Sequence, residues 1–187
     1  MFDPHVLPEG LPVPVDDGAA DHLCGTGVPA VRLPSTRGEV DMEALAAGLL
    51  VVYVYPRTGT PGVALPPGWD ETPGARGCTP QSCAFRDEAA AFAARGAALV
   101  GLSAQTLEEQ RAFAEREHIP YPVASDAELV LAEAMGLPTF EIAGMRLYRR
   151  LTFVARAGRV EQVFYPIFPP HRNAGDVLSW LDSAPPQ

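Results

Sequence analysis

The chain has 187 residues, the length of one ordinary domain, and with 47% hydrophobic and 20% charged residues it belongs among globular proteins. Its fourteen basic residues are all arginine and face 23 acids, leaving a net charge of −9 that disfavours electrostatic binding to nucleic acid or an anionic membrane surface. The absence of lysine excludes Schiff-base catalysis and a Walker-type phosphate loop, both of which need an ε-amino group.

Residues 1–27 carry scattered proline, glycine and aspartate and read as an extended lead-in with no visible core face. No basic stretch followed by an apolar one opens the chain, and the longest apolar run, 49–55, is far too short to span a bilayer, so a cytoplasmic address is expected. Asp41 is placed to cap a short helix over 42–47. Gly48 ends it before LLVVYVY, an apolar, β-branched run typical of a strand covered on both faces. A loop over 56–77 follows, with five prolines and five glycines in 22 positions, and loops of that length in compact domains are usually functional.

The alanine-rich segment 79–95 predicts one helix closed by Gly96, and 98–104 predicts a second buried strand. Thr106 and Glu109 form a capping box for an amphipathic helix over 106–118, and Asp126 caps a further helix reaching Met135. Two strands are then expected within 146–165 around Ala157-Gly158, and a last helix over 174–181. Strand, helix, strand, helix, an antiparallel pair and a terminal helix is the order of a thioredoxin-like α/β fold with a mixed central sheet flanked by helices. A flavodoxin-like fold would need another parallel strand late in the chain.

The chemistry concentrates around two of three cysteines. Cys78 stands at a helix start, on a glycine-rich loop that follows a buried strand, which is where α/β folds place ligands. Free N–H groups and the positive end of the helix dipole favour a thiolate there. Cys83 lies five residues on, a rise of about 7.5 Å and an offset of about 140° in an unbroken helix. A disulfide between the two therefore requires the first helical turn to unwind. Zinc is not indicated, because a Cys-x4-Cys pair needs two more ligands and His5, His22, His118 and His171 form no matching close pair, His22-Leu23-Cys24 being the nearest to one. Cys24 reads as an incidental thiol before a second resolving one.

Gly-Cys-Thr-Pro-Gln-Ser-Cys-Ala-Phe-Arg-Asp at 77–87 resembles the active-site segment of peroxiredoxins, particularly the bacterioferritin-comigratory or peroxiredoxin Q class. Tyr-Pro at 55–56, Ser-Asp at 125–126 and Arg-Leu-Thr-Phe-Val at 150–154 fit the same family, so the likeness covers about residues 28–182 and defines a domain over 28–183. The resemblance implies a thiol-dependent peroxidase for hydrogen peroxide and organic hydroperoxides. Cys78 would be the peroxidatic cysteine, Cys83 the resolving cysteine in an intramolecular disulfide, and Arg150 the arginine that polarises peroxide and stabilises the thiolate. It further implies thioredoxin or a similar dithiol as reductant, and no metal, haem or flavin. Arg149 is the neighbouring candidate, since a shift of one residue exchanges the faces of a strand; Arg76 and Arg86 are close to Cys78 in sequence.

The family pattern Pro-x-x-x-Thr-x-x-Cys starts correctly at Pro56 and Thr60, but the cysteine expected at 63 arrives at 78, an insertion of 15 residues over about 63–77. Thr60 fits the count from Pro56, whereas Thr72 belongs to a partial second copy nearer the cysteine. The insertion holds Trp69 and Arg76 and is placed to act as a lid or modify access. A thioredoxin-like sensing or binding module without efficient turnover is the alternative. A disulfide reductase would use a two-residue spacer between its cysteines, where this chain has four.

Overall fold

A computed structural model describes residues 3–183. A hairpin of β1 (Arg32–Ser35) and β2 (Gly38–Asp41) leads into helix α1 (Met42–Ala46) and strand β3 (Leu49–Val54). Beyond the long loop come α2 (Cys78–Asp87), α3 (Ala89–Ala94), β4 (Ala97–Ser103), α4 (Leu107–Arg116), β5 (Val123–Ser125) and α5 (Val130–Met135). A small two-stranded sheet of β6 (Thr139–Ile142) and β7 (Met145–Tyr148) precedes β8 (Leu151–Arg156) and β9 (Arg159–Phe164), and α6 (Asn173–Ser183) closes the described chain.

The central sheet has the order β2-β1-β5-β4-β3-β8-β9, with β3, β4 and β5 parallel and the other pairings antiparallel. It is the thioredoxin-like mixed sheet expected from the element order. β3 reads as a continuous apolar run because successive side chains enter opposite cores: Leu50, Val52 and Val54 pack on one face with residues of α1 and α5, and Val51 and Tyr53 pack on the other with residues of α2, α4 and α6. The capping box of α4 forms as predicted, with Thr106 and Glu109 each holding the other's backbone N–H. Ala157 and Gly158 both take positive φ and make the tight turn between β8 and β9.

Three local expectations are corrected. The helix expected over 79–95 is two helices broken at Glu88, whose φ of −96° and ψ of 6° leave the helical range; alanine-rich composition carries no mark of such a bend. The segment 146–148 belongs to the separate β6–β7 hairpin, so only β8 and β9 form the expected pair in the central sheet. The lead-in contains no helix and no named strand within 3–27, yet Ala20 and Leu23 are buried in the core and Gly25 N–H donates to the Val160 carbonyl at 2.8 Å. Its polar composition hides two anchoring side chains.

What positions the site is the end of β3. Tyr53 lies opposite Gly101 of β4, where a Cβ would stand 2.5 Å from the tyrosine oxygen, so only glycine leaves room for the ring. Tyr53 stacks on Phe85 of α2 with centroids 4.4 Å apart, and Tyr121 donates from its hydroxyl to the Ser82 carbonyl at 3.1 Å. An aromatic bed therefore holds α2 on the sheet. Leu23→Ala is expected to cost about 2–5 kcal/mol in urea unfolding, because a fully buried leucine leaves a cavity. Val15→Ala, at an exposed position, is expected to stay within about 0.5 kcal/mol in the same measurement.

Candidate active site

Helix α2 begins at Cys78 itself. Gly77 precedes it in the left-handed region (φ 95°), and a Cβ there would lie 2.2 Å from Pro170 Cγ, so glycine is required for both the turn and the packing. Gly77 offers no side chain to cap the helix. Cys78 is 3% exposed; its Sγ lies 3.6 Å from the Ala75 carbonyl and accepts a hydrogen bond from Arg150 Nη2 at 3.2 Å.

Arg150 is 4% exposed and stands in the connection just before β8, not within a strand as its apolar surroundings in sequence suggest. Because β8 runs antiparallel to β3 with Leu151 opposite Val54, this residue emerges where the loop toward Cys78 departs. Its Nη2 also donates to the carbonyls of Gly74, Ala75 and Arg76 at 3.1, 3.3 and 2.9 Å, and its Nη1 donates to Gln81 Oε1. Gln81 Nε2 donates in turn to Asn173 Oδ1 at 3.0 Å, which also accepts from Thr152 Oγ1 at 2.7 Å. Among the described residues no carboxylate pairs with Arg150. A buried guanidinium thus rests on carbonyls, one amide and one sulfur.

The other arginines are engaged elsewhere. Arg76 pairs with Asp70, Arg86 with Asp87 and the Glu117 carbonyl, and Arg149 reaches Asp17 at 3.9 Å. Pro56 is buried, and with Thr72, Arg149, Arg150, Tyr165 and Ile167 it lines a cavity of about 260 Å³. The structure does not bring Thr60 to Cys78: its side chain is exposed and lines a groove beside α4. Thr72 lines the cavity beside Arg150, and its hydroxyl donates to the Gly68 carbonyl at 2.7 Å.

Sequence reasoning missed Thr79. It is buried, its Oγ1 has no hydrogen-bond partner among the described residues, and it lines with Cys78, Trp69 and Ala75 a cavity of about 20 Å³, roughly the room of one water. Arg150 Nε is likewise buried and without a partner among the described residues. The insertion forms the outer wall of this cavity, and Trp69 anchors it by packing with Ala75 and Leu147, 6.5 Å from the Phe140 ring centroid. Gln81 and Asn173 were missed as well, although Gln81 lies one helical turn after Cys78 and so on the same side of α2.

Cys83 is half-buried on the same helix, and its S–H donates to Glu117 Oε2 at 3.7 Å. Burial pushes this thiol up to about 11, opposed by Arg86 and reinforced by the Glu117 carboxylate. Cys24 is exposed and free.

The redoxin family pattern matches residues 24–178. A chloroplastic peroxiredoxin Q of Sedum lineare is 30% identical over 160 residues, covering 85% of this chain and 77% of that protein. The chain belongs to the redoxin family, in its peroxiredoxin Q/BCP class. A chloroplastic peroxiredoxin Q of Gentiana triflora is 31% identical over 135 residues, and the match spans 72% of this chain but only 55% of that longer relative. Peroxidoxin BcpB of Mycobacterium tuberculosis superposes with a TM-score of 0.70 at 28% identity, covering 88% of this chain and 99% of that structure. Gly77→Ala is expected to destabilise the protein by more than about 1 kcal/mol in thermal or urea unfolding, since it combines positive φ with a steric overlap; an unchanged midpoint would contradict the packing described.

Proposed function

We infer that the chain is a thiol peroxidase of the atypical two-cysteine kind, acting on hydrogen peroxide and organic hydroperoxides. The observation that carries this reading is the buried Arg150 guanidinium at 3.2 Å from Cys78 Sγ, unpaired with any carboxylate among the described residues, because its fork can donate to the attacking sulfur and to a peroxide oxygen at once. The Cys78 thiolate attacks the terminal peroxide oxygen in line, the O–O bond breaks, and water or an alcohol leaves after taking a proton, so that sulfur is oxidised to a sulfenic acid. Arg150 and the first N–H groups of α2 stabilise the charge that develops on the leaving oxygen.

The hydroxyl that meets the peroxide is assigned to Thr79 in place of Thr60, on the support of its burial, its unpartnered oxygen and its place in the cavity at Cys78. Pro56 shapes the wall beside Arg150. A cavity of about 20 Å³ holds about one water, so peroxide with its two oxygens enters as the inserted cover shifts. The first turn of α2 then unwinds and Cys83 attacks the Cys78 sulfur; the S–S bond forms, the sulfenic oxygen leaves as water, and the thiol proton goes with it. An external dithiol of the thioredoxin type returns both sulfurs to thiols. A reducing, cytoplasmic setting, where such dithiols are available, suits this cycle.

Cys78→Ser is expected to abolish peroxide turnover, and Cys83→Ser to permit one oxidation without dithiol recycling; multiple turnover by the first variant would end the assignment. For the hydroxyl, Thr79→Val is expected to slow the first oxidation by up to about 10²-fold in stopped flow, with Thr79→Ser near the parent rate. Thr60→Val and Thr72→Val are expected to stay within about twofold of the parent, and a larger loss in either would move the role to it.

A further inference from the structure

Midway along α2, Cys83 meets two residues, His5 and Glu117, that the peroxidase cycle does not use. His5 of the lead-in, Cys83 of α2 and Glu117, just beyond α4, bring one ligand atom each within 4.8 Å of one another. These residues are 78 and 34 positions from Cys83 in the chain, so folding alone unites them. His5 Nε2 lies 3.4 Å and Cys83 Sγ 3.7 Å from Glu117 Oε2. A tetrahedral zinc with sulfur at about 2.3 Å and nitrogen or oxygen at about 2.0–2.1 Å requires ligand-to-ligand edges of about 3.3–3.6 Å. The two edges to Glu117 Oε2 need only a few tenths of an ångström of adjustment, and the third, between His5 and Cys83 and within 4.8 Å, closes to about 3.5 Å on binding.

The surroundings also match what such a site needs. Glu117 is 4% exposed, so most of the cost of removing its carboxylate from water is already met by the fold. Arg116 Nε holds the other oxygen, Oε1, at 3.0 Å and Arg116 Nη2 donates to the Gly59 carbonyl at 3.1 Å, which orients the carboxylate from outside and leaves Oε2 directed at His5 and Cys83. Arg86 is engaged with Asp87 and the Glu117 carbonyl, not with Oε2. The His5 side chain is 50% exposed, which provides an entry path and a fourth position for water.

We propose that His5, Cys83 and Glu117 form a site for a borderline-soft divalent cation of the zinc type, present in the reduced protein with α2 folded. Binding releases the Cys83 proton to solvent and transfers no electrons. The cation ties the lead-in, α2 and the end of α4 together through the same sulfur that must attack Cys78 for the disulfide to form. Metal binding and Cys78–Cys83 bond formation are therefore mutually exclusive, a consequence that rests on the resolving role given to Cys83, whereas the site itself does not.

The test is titration of the reduced full chain with Zn²⁺ and with Co²⁺, whose thiolate charge-transfer absorption reports a sulfur ligand. One equivalent is expected to bind with that absorption in the parent, in Cys78→Ser and in Cys24→Ser. The absorption is expected to vanish in Cys83→Ser and in the disulfide form, and affinity in His5→Ala to fall by more than the roughly 10–100-fold that loss of an outer partner costs. An absorption that survives Cys83→Ser, disappears in Cys24→Ser, or is absent from the parent overturns the site. In a second measurement, one equivalent of Zn²⁺ is expected to slow disulfide formation after a single dose of H2O2 at least about tenfold. An unchanged rate with metal bound overturns the mutual exclusion, and failure of the peroxidase reading would show separately as peroxide turnover by Cys78→Ser.

Discussion

A buried guanidinium without a carboxylate organises this molecule. Arg150 is almost completely removed from water, and such a charge left uncompensated costs several kcal/mol. Here the compensation is spread over three successive carbonyls, the Gln81 amide oxygen and the Cys78 sulfur. That distribution ties the inserted loop, the start of α2 and the edge of β8 to one side chain. A carboxylate partner would neutralise the charge more cheaply and leave the sulfur without its cation.

The fold supplies the position for that side chain. β3 is buried on both faces and pairs with β4 on one side and β8 on the other, so the point where Arg150 enters has little freedom. α2 is held on the same face by the stacked rings of Tyr53, Phe85 and Phe92, and its first residue is set by a glycine that no other residue can replace without overlap. Phe92 belongs to α3, so the break at Glu88 lets the chain fold a second aromatic onto the same bed. The insertion follows a similar logic on a smaller scale, since Trp69 gives a proline- and glycine-rich segment its own apolar anchor over the cysteine.

The sequence made the scaffold legible where local signals and tertiary packing agree. The apolar run of β3, the capping box of α4 and the Ala157-Gly158 turn each state their own structure. Cys78 at a helix start was legible for the same reason, because helix ends carry their own electrostatics. Local signals were silent about convergence. Thr60 satisfies a residue count but sits outside the Cys78 cavity, since a count assumes a chain path that fifteen added residues change. Arg150 was found, but its place outside the strand was not, because an apolar neighbourhood in sequence does not say where a ladder ends. Gln81 with Asn173, and His5 with Glu117, meet only through the fold.

The pairing of Arg150 with Cys78 is tested most directly by the stopped-flow rate at which H2O2 oxidises the reduced protein when Arg150 is replaced by Met, which keeps bulk and removes the charge. A slowing of roughly 10²-fold or more, equivalent to about 2.7 kcal/mol of lost transition-state stabilisation, is expected for Arg150→Met, with Arg149→Met close to the parent. A parent-like rate in Arg150→Met, or an equal loss in Arg149→Met, would contradict the role of the buried guanidinium.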